Sequence, residues 1–289
     1  MRTSSNTLAL SVVALSAWSA AALSGCADQP KPNCITFPDA YALKFFEEDR
    51  DGACEGTAPP FGGDPRVGVV SYYEQDDKKQ PDYRLGSIAI QSAEFGNALA
   101  AAEGAEIENS ARDGERFALG AFTAGEPDDA EFCSVPELAP AHLVLDEVPA
   151  VPDDPETEED DSVPGQPALD IRLEWSNVQV YVTPASVGTQ LSADLVDART
   201  TPDGETCTIR YRVLALAPAV DCKERDKDTG EPILNDDGSF RPDSTWCDSE
   251  PDPSKNRFLG SGISADAATT CDPETFYCVV SGDSVPSLK

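Results

Sequence analysis

Two acidic stretches near the carboxyl end of this 289-residue chain have a spacing that could bind a metal ion. They are Asp226-Lys227-Asp228-Thr229-Gly230 and Asn235-Asp236-Asp237-Gly238. Calcium is bound by about six to eight oxygen atoms, and an Asp-x-Asp-x-Gly spacing is typical of calcium loops outside the cell. The candidate metal ligands are therefore the carboxylates of Asp226, Asp228, Asp236 and Asp237.

The first stretch departs from the EF-hand pattern, which limits this interpretation. Counted from Asp226, glycine stands at position five instead of six, and position twelve is Asp237 instead of a bidentate Glu. Two interpretations stay open: a weak calcium site, or an acidic loop whose Asp and Gly residues only form turns. Calcium is the one possible cofactor that the sequence suggests.

Catalytic constellations are hard to assemble from this composition. His142 is the single histidine, and no G-x-S-x-G motif accompanies it, so we predict a half-exposed strand residue there. Among 53 acidic residues, the sequence singles out no carboxylate pair for glycoside hydrolysis. Walker, G-x-G-x-x-G and H-E-x-x-H motifs are absent from the sequence. A non-enzymatic role is therefore favoured, with no catalytic or cofactor-binding residue assigned.

The first residues have the composition of an export signal. Residues 1–7 carry Arg2 and no acid, and a run of apolar or small residues extends from Leu8 to Leu23. As a helix this run would be about 24 Å long, shorter than the roughly 30 Å hydrocarbon core of a bilayer. We therefore predict a signal peptide over residues 1–25 instead of a stable membrane span.

The sequence Leu23-Ser24-Gly25-Cys26 ends this run and resembles the lipobox of bacterial lipoproteins. The resemblance implies cleavage between Gly25 and Cys26, diacylglycerol on the Cys26 sulfur and acylation of the freed amine. Two or three acyl chains hold a protein stably at a membrane, whereas one holds it weakly. Residues 26–33 would then be a lipid-anchored tether. Ala27, instead of Asp, after the lipidated cysteine favours the outer membrane.

The remaining cysteines are even in number once Cys26 carries lipid, which fits an oxidising compartment outside the inner membrane. These eight are the disulfide candidates: Cys34, Cys54, Cys133, Cys207, Cys222, Cys247, Cys271 and Cys278. Because short loops close at the least entropic cost, we predict the pairs Cys34–Cys54, Cys222–Cys247, Cys271–Cys278 and, as a longer link, Cys133–Cys207. No C-x2-C spacing supports zinc.

The charge of the chain is strongly negative, with 53 acidic and 21 basic residues and a net charge of −32. Removal of residues 1–25 takes away Arg2 and no acid, which leaves −33. Such a surface repels phosphates, so we expect no nucleic acid partner. The acidity is densest in residues 149–168, which also hold five prolines and predict an extended linker or loop.

Two β-rich regions, residues 34–148 and 169–289, flank this acidic segment. Alternation of apolar and polar residues over 169–175 changes phase before 178–182, which predicts a β-bulge at Ser176-Asn177. Thr201-Pro202-Asp203-Gly204 has turn chemistry and predicts a hairpin of strands 190–199 and 206–217. The same criteria predict a helix over 93–108 and further strands over 66–74, 83–92, 116–123, 141–148 and 276–281.

Short strands, one helix and 24 prolines predict a mainly β fold. We expect an antiparallel β-sandwich or an open, barrel-like ectodomain, stapled by disulfides, with one short helix and long acidic loops. The predicted function is that of a lipid-anchored envelope protein with a binding, adhesion or envelope-assembly role. It would contact the membrane through its anchor and an envelope protein as partner. The alternatives are a membrane-anchored hydrolase and a calcium-dependent binding module.

Overall fold

The computed structural model describes residues 31–54, 60–104, 115–147, 149–150, 165, 167–201 and 203–289. The predicted signal peptide and Cys26 lie outside these residues, as does most of the segment 149–168. The helix is α1 (Ala93–Gly104), and the strands are β1 (Ala40–Gly52), β2 (Arg66–Gln75), β3 (Pro81–Ser92), β4 (Ala118–Ala121), β5 (Phe132–Glu137), β6 (Ala141–Leu145), β7 (Leu169–Val182), β8 (Val187–Thr200), β9 (Thr206–Leu216), β10 (Thr269–Cys271) and β11 (Cys278–Val280).

Nine of the described strands form one antiparallel sheet, in the order β4-β3-β2-β1-β9-β8-β7-β5, with β6 also paired to β7. The two ends of this order meet. Leu119 of β4 and Ala139, which follows β5, donate to each other's carbonyl oxygens at 3.3 and 2.7 Å. The sheet is therefore a nearly closed barrel, which confirms the predicted mainly β fold in its barrel-like form. Strands from both sides of residues 149–168 belong to this one sheet.

The barrel, which we define as residues 34–217, encloses one apolar core. Helix α1 adds to this core through Phe95, Ala98, Leu99 and Ala102, which recur at helical spacing. The Ser92 hydroxyl accepts a hydrogen bond from the main-chain nitrogen of Phe95 at 3.2 Å, as expected of a residue that begins a helix. In the part of the chain that the structure describes, no helix is long and apolar enough to cross a bilayer.

Several local predictions are confirmed. Strands β2 and β3 pair as a hairpin, as do β8 and β9, whose turn places Gly204 at a φ of +84°. The pairing of β7 with β8 shifts between Ser176 and Gln179, and Asn177 has a φ of +51°, which is the predicted bulge. These features depend on neighbouring residues, so the local pattern suffices to find them.

Strand β1 was not predicted, although it lies in the middle of the sheet between β2 and β9. Near its start, Tyr41 to Leu43 are buried on both faces and form what we call the first half with the partly buried residues up to Phe46, whereas the second half, Glu47 to Gly52, is exposed and mostly charged. Neither half alternates between apolar and polar residues, because the chain packs against both faces of the first half and against neither face of the second. Strands β5 and β10 were missed as well.

The C-terminal module, residues 219–289, has a small core of its own on the outside of the barrel. On β9, Val213 and Ala215 face the barrel core while Leu214 and Leu216 face the module, so this strand is apolar on both sides. Lys44 of β1 donates to the carbonyls of Val280 and Gly282 at 3.3 and 2.9 Å. The module is thus docked on β1 and β9 by apolar packing and by hydrogen bonds.

All eight predicted cysteines form disulfides, but the predicted pairing is wrong. The bonds are Cys34–Cys133, Cys54–Cys207, Cys222–Cys271 and Cys247–Cys278, across 99, 153, 49 and 31 residues. Each doubling of loop length costs only about 0.6 kcal/mol in closure entropy. The fold therefore overrides the preference for short loops. Gly52 lies opposite Cys207 in the pairing of β1 with β9, for example, which brings Cys54 to Cys207.

Candidate binding surface

Four apolar side chains are exposed on three neighbouring strands of the barrel, and we call them the β2–β4 face: Val70, Tyr72, Leu85 and Leu119. Register places Val70 opposite Ala89 and Ala89 opposite Leu119, so these three form a row across β2, β3 and β4. Tyr72 extends the row along β2, since residues an even number of positions apart share a face of a strand. Leu85 lies on β3 where the pairing with β2 shifts register. Tyr72 is 53% exposed and Leu85 is 52% exposed.

The inner side of the same strands is already apolar. Val69, Ile88 and Ala118 point into the barrel core and are fully buried. A barrel wall has to be apolar only on the side that faces the core. Folding therefore does not require the apolar residues on the outside. Large exposed apolar patches are typical of binding surfaces, so we take the β2–β4 face as the candidate site.

A charged rim of both signs borders the β2–β4 face. Acidic and basic residues lie in the turn between β2 and β3 and at the end of β2, namely Asp76, Asp77, Lys78 and Lys79 in the turn and Glu74 on β2. At its end the Arg84 guanidinium donates to both carboxylate oxygens of Asp82, at 2.9 and 2.6 Å, which lowers the pKa of Asp82 to about 2. These ionised groups keep the rim hydrated around the apolar centre.

The four predicted calcium ligands lie in two turns. One Asp226 oxygen accepts hydrogen bonds from the main-chain nitrogens of Asp228 and Thr229, both at 2.9 Å. One Asp237 oxygen accepts from the nitrogen and hydroxyl of Ser239, and these hydrogen bonds lower the pKa of both aspartates. Within residues 203–289, all of which are described, no three of the four predicted carboxylates cluster closely. Both sequence interpretations of this loop stay open.

In the described residues, three cysteine sulfurs form a close group of potential metal ligands. The Sγ atoms of Cys222, Cys247 and Cys278 lie within 4.8 Å of one another and are buried. Each belongs to a disulfide. Metal ions bind the thiolate form of cysteine, so this group acts as a structural staple of the module core.

His142 lies on β6 and is half-exposed, as predicted. Its Nε2 atom is 3.1 Å from a carboxylate oxygen of Asp170 on β7, the neighbouring strand. The pair therefore links two strands on the barrel surface.

A buried ionic cluster escaped the sequence analysis. Arg199 on β8 donates to both oxygens of Glu94 on α1, at 2.9 Å each, and to Asp197 on its own strand. The side chains of Glu94 and Asp197 are only 14% and 3% exposed. Burial together with the negative charge of Asp197 raises the pKa of the nearby Tyr211 to about 12. Because Glu94 and Arg199 are far apart in sequence, no local pattern reveals that they meet.

One comparison with known proteins covers the barrel and not the module. The sequence model of the MlpA family matches residues 35–218. The chain belongs to the MlpA family. The matched range starts directly after Cys34 and ends just beyond β9, so it coincides with the barrel of this chain. The C-terminal module lies after the matched range.

A curated relative extends the similarity beyond the barrel. The Myxococcus xanthus protein named "Putative lipoprotein MlpA" is 27% identical over 279 residues, which cover 92% of each chain. The alignment therefore reaches into the C-terminal module. No solved structure matches this chain. Membership of the MlpA family and this relative confirm the bacterial lipoprotein that the lipobox predicted.

Proposed function

We propose that this MlpA-family lipoprotein is anchored in the outer membrane by acyl chains on Cys26 and binds another envelope protein without catalysis. The observation that carries the proposal is the β2–β4 face, an exposed apolar surface on a disulfide-stapled barrel. The lipobox and the MlpA relative support the anchor, and Ala27 after Cys26 supports the outer membrane. The chain's charge of −33 after cleavage disfavours nucleic acid as partner.

The composition of the β2–β4 face favours a folded protein as its partner. Protein interfaces have an apolar centre in which tyrosine is enriched, surrounded by a polar rim. Tyr72 belongs to the apolar face here, and charges of both signs lie at the β2–β3 turn next to it. A rim of mixed sign fits a partner surface with complementary charges better than a uniformly charged polymer or membrane.

The partner is tested by capture from envelopes solubilised in detergent, with the mature lipoprotein as bait. We expect wild type to retain one or more envelope proteins that the variant Tyr72→Glu with Leu119→Lys loses. Val187→Lys is the matched control, since Val187 is 40% exposed on β8, away from β2–β4. Equal capture by all three proteins, or capture of nothing by wild type, would contradict the proposed binding role.

The anchor is tested separately by metabolic labelling with an alkyne fatty acid, followed by fractionation of inner and outer membranes. Wild type is expected to carry label and to fractionate with the outer membrane. Cys26→Ser is expected to carry none. Label retained by Cys26→Ser would place the lipid on another residue, and labelled protein in the inner membrane would contradict the sorting inferred from Ala27.

A further inference from the structure

Strand β1 has a neighbouring strand on only one side for most of its length. It pairs with β9 from Ala42 to Gly52, but with β2 only from Ala40 to Ala42. One hydrogen bond, from the Leu43 nitrogen to the Pro65 carbonyl at 2.9 Å, ends the contact on the β2 side. Beyond Leu43, β1 is therefore an edge strand in the part of the chain that the structure describes.

The main-chain groups of Phe45 and Glu47 point toward this free edge. The nitrogen of Leu43 points away from β9, as its bond to Pro65 shows, and the main-chain groups of a strand point to the same side at every second residue. The register shift between β1 and β9 comes only after Glu47, so the alternation holds up to that residue. Among the described residues, none forms a main-chain hydrogen bond with Phe45 or Glu47 on this side. Two donors and two acceptors are thus free along the edge.

A cleft beside this free edge leaves room for an added chain. It lies between β1, the loop that leads into β2, and residues 270–275 of the C-terminal module. Its volume is about 470 Å³, within the range of about 300–1,000 Å³ in which proteins hold ligands. Its apolar lining includes Phe45, Pro60, Pro65 and Val279. An extended chain that pairs with Phe45 would therefore have an apolar pocket next to it.

The surroundings of the free edge carry more negative than positive charge. The cations near it are Lys44 and Arg50 on β1 and Arg210 and Arg212 on β9. The carboxylates are those of Glu47, Glu48, Asp49 and Asp51 on β1 and of Asp272 and Glu274 at the cleft. Arg50 pairs with Glu47 at 2.7 Å, and Arg210 lies 3.8 Å from Asp49. The edge is therefore anionic even after its ion pairs are counted.

The negative charge selects what can occupy this edge. Charged residues and bulges on an edge strand keep copies of the same chain from pairing, and like charges here repel a second copy. A basic chain is attracted instead, because its charge is complementary. We propose that β1 binds an extended basic segment of another protein, which adds a strand at Phe45 and Glu47. This surface is separate from the β2–β4 face, and neither role depends on the other.

The probe for this site is the synthetic peptide Lys-Val-Lys-Val-Lys-Val-Lys, which is basic and alternates as a β-strand does. Its binding to the full mature lipidated chain in detergent is measured by fluorescence anisotropy, and we expect it to bind. The same peptide with methylated main-chain nitrogens keeps its charge but cannot donate hydrogen bonds to the edge. We expect this methylated peptide to bind at least about tenfold more weakly.

Glu47→Pro tests the edge from the side of the protein. Proline removes the main-chain N–H of residue 47, and edge strands tolerate proline where that N–H has no partner. We expect peptide binding to weaken at least about tenfold. Glu47→Gln is the matched control, because it removes the same charge and keeps the N–H. Its loss of binding should be no more than about threefold.

Hydrogen exchange of wild type gives a second measurement that needs no variant. The bound peptide should slow exchange at the amides of Phe45 and Glu47, while the turn between β2 and β3 keeps its rates. Absence of peptide binding, equal binding of the methylated peptide, or equal losses in the two Glu47 variants would overturn the inference. Protection elsewhere in the chain without protection at Phe45 and Glu47 would overturn it as well. None of these results bears on the β2–β4 face or the anchor.

Discussion

The barrel and the C-terminal module achieve stability in different ways. The barrel encloses a large core built from nine strands and α1, and its two disulfides link residues 99 and 153 positions apart. The module has two strands of three residues, and four of the nine buried residues in its core are cysteines. A core this small buries little apolar area, and such units depend on covalent links. The barrel should therefore tolerate reduction of its disulfides better than the module does.

The largest expected effect tests whether the barrel depends on its buried charges as well as its core. Arg199→Met leaves the carboxylates of Glu94 and Asp197 buried without their cation. Removal of one partner of a buried ion pair lowers the free energy of unfolding by about 3–5 kcal/mol. Unfolding in urea should reveal the loss as a lower midpoint. Arg172→Met is the control, because its ion pair with Glu174 is exposed on both sides and its loss should change the midpoint little. Equal midpoints for both variants would contradict the importance of the buried cluster.

The next effect tests the module. Replacing Cys222 and Cys271 together by serine opens a link across 49 residues and should destabilise the module by about 2–4 kcal/mol. We expect amide hydrogen exchange to quicken in β10 and β11 while β7 and β8 stay protected. Faster exchange throughout the barrel would show that the two regions unfold as one unit. This result would contradict the expected difference in stability between them.

A smaller effect concerns pH. Burial opposes ionisation of Asp243, but hydrogen bonds from Lys255 and Thr245 outweigh it, so the pKa of Asp243 is below its ordinary value of 3.8. In the unfolded chain this carboxyl takes up its proton first as the pH falls. Its contribution to stability is therefore present above about pH 3.8 and is lost as the pH falls through the folded pKa.

Hydrogen exchange of the module, measured as the pH is lowered, checks this pH dependence. Asp243→Asn removes the titrating group, so the variant should be less stable than wild type at neutral pH, and the difference should shrink in acid. A difference that stays constant across the range would show that Asp243 acts without its charge.

The smallest effect concerns calcium at Asp226, Asp228, Asp236 and Asp237. A weak site, filled at millimolar calcium to about ten times its dissociation constant, would stabilise the folded chain by about 1.4 kcal/mol. The melting temperature should then rise by about 2–4 °C. Asp226→Ala with Asp228→Ala should abolish the rise. A melting curve of wild type that calcium leaves unchanged would favour the interpretation in which these residues only form turns.

Prediction from the sequence succeeded where a structure depends on residues close in the chain. Pro202-Asp203-Gly204 marked the turn between β8 and β9, and the phase change at Ser176-Asn177 marked the bulge of β7. Prediction failed where a residue is buried by distant parts of the chain. The first half of β1 is covered by the barrel core and by the module, so its pattern carries no strand period.

The candidate surface could be predicted only in part. Val70 and Tyr72 were recognised as strand residues, but their exposure on the outside of the barrel depends on which side of β2 the core lies. The same holds for Leu119, which joins them only because β4 pairs with β3.

The sequence by itself predicted an export signal and a lipobox, and it determined the even set of eight cysteines and the β8–β9 hairpin, because each depends on adjacent residues or on a count. The tertiary structure alone decided which cysteines bond, that β1 joins β2 to β9, and that Arg199 meets Glu94. These contacts join residues far apart in the chain, and the free energy gained by enclosing a common core outweighs the slowly growing cost of closing long loops.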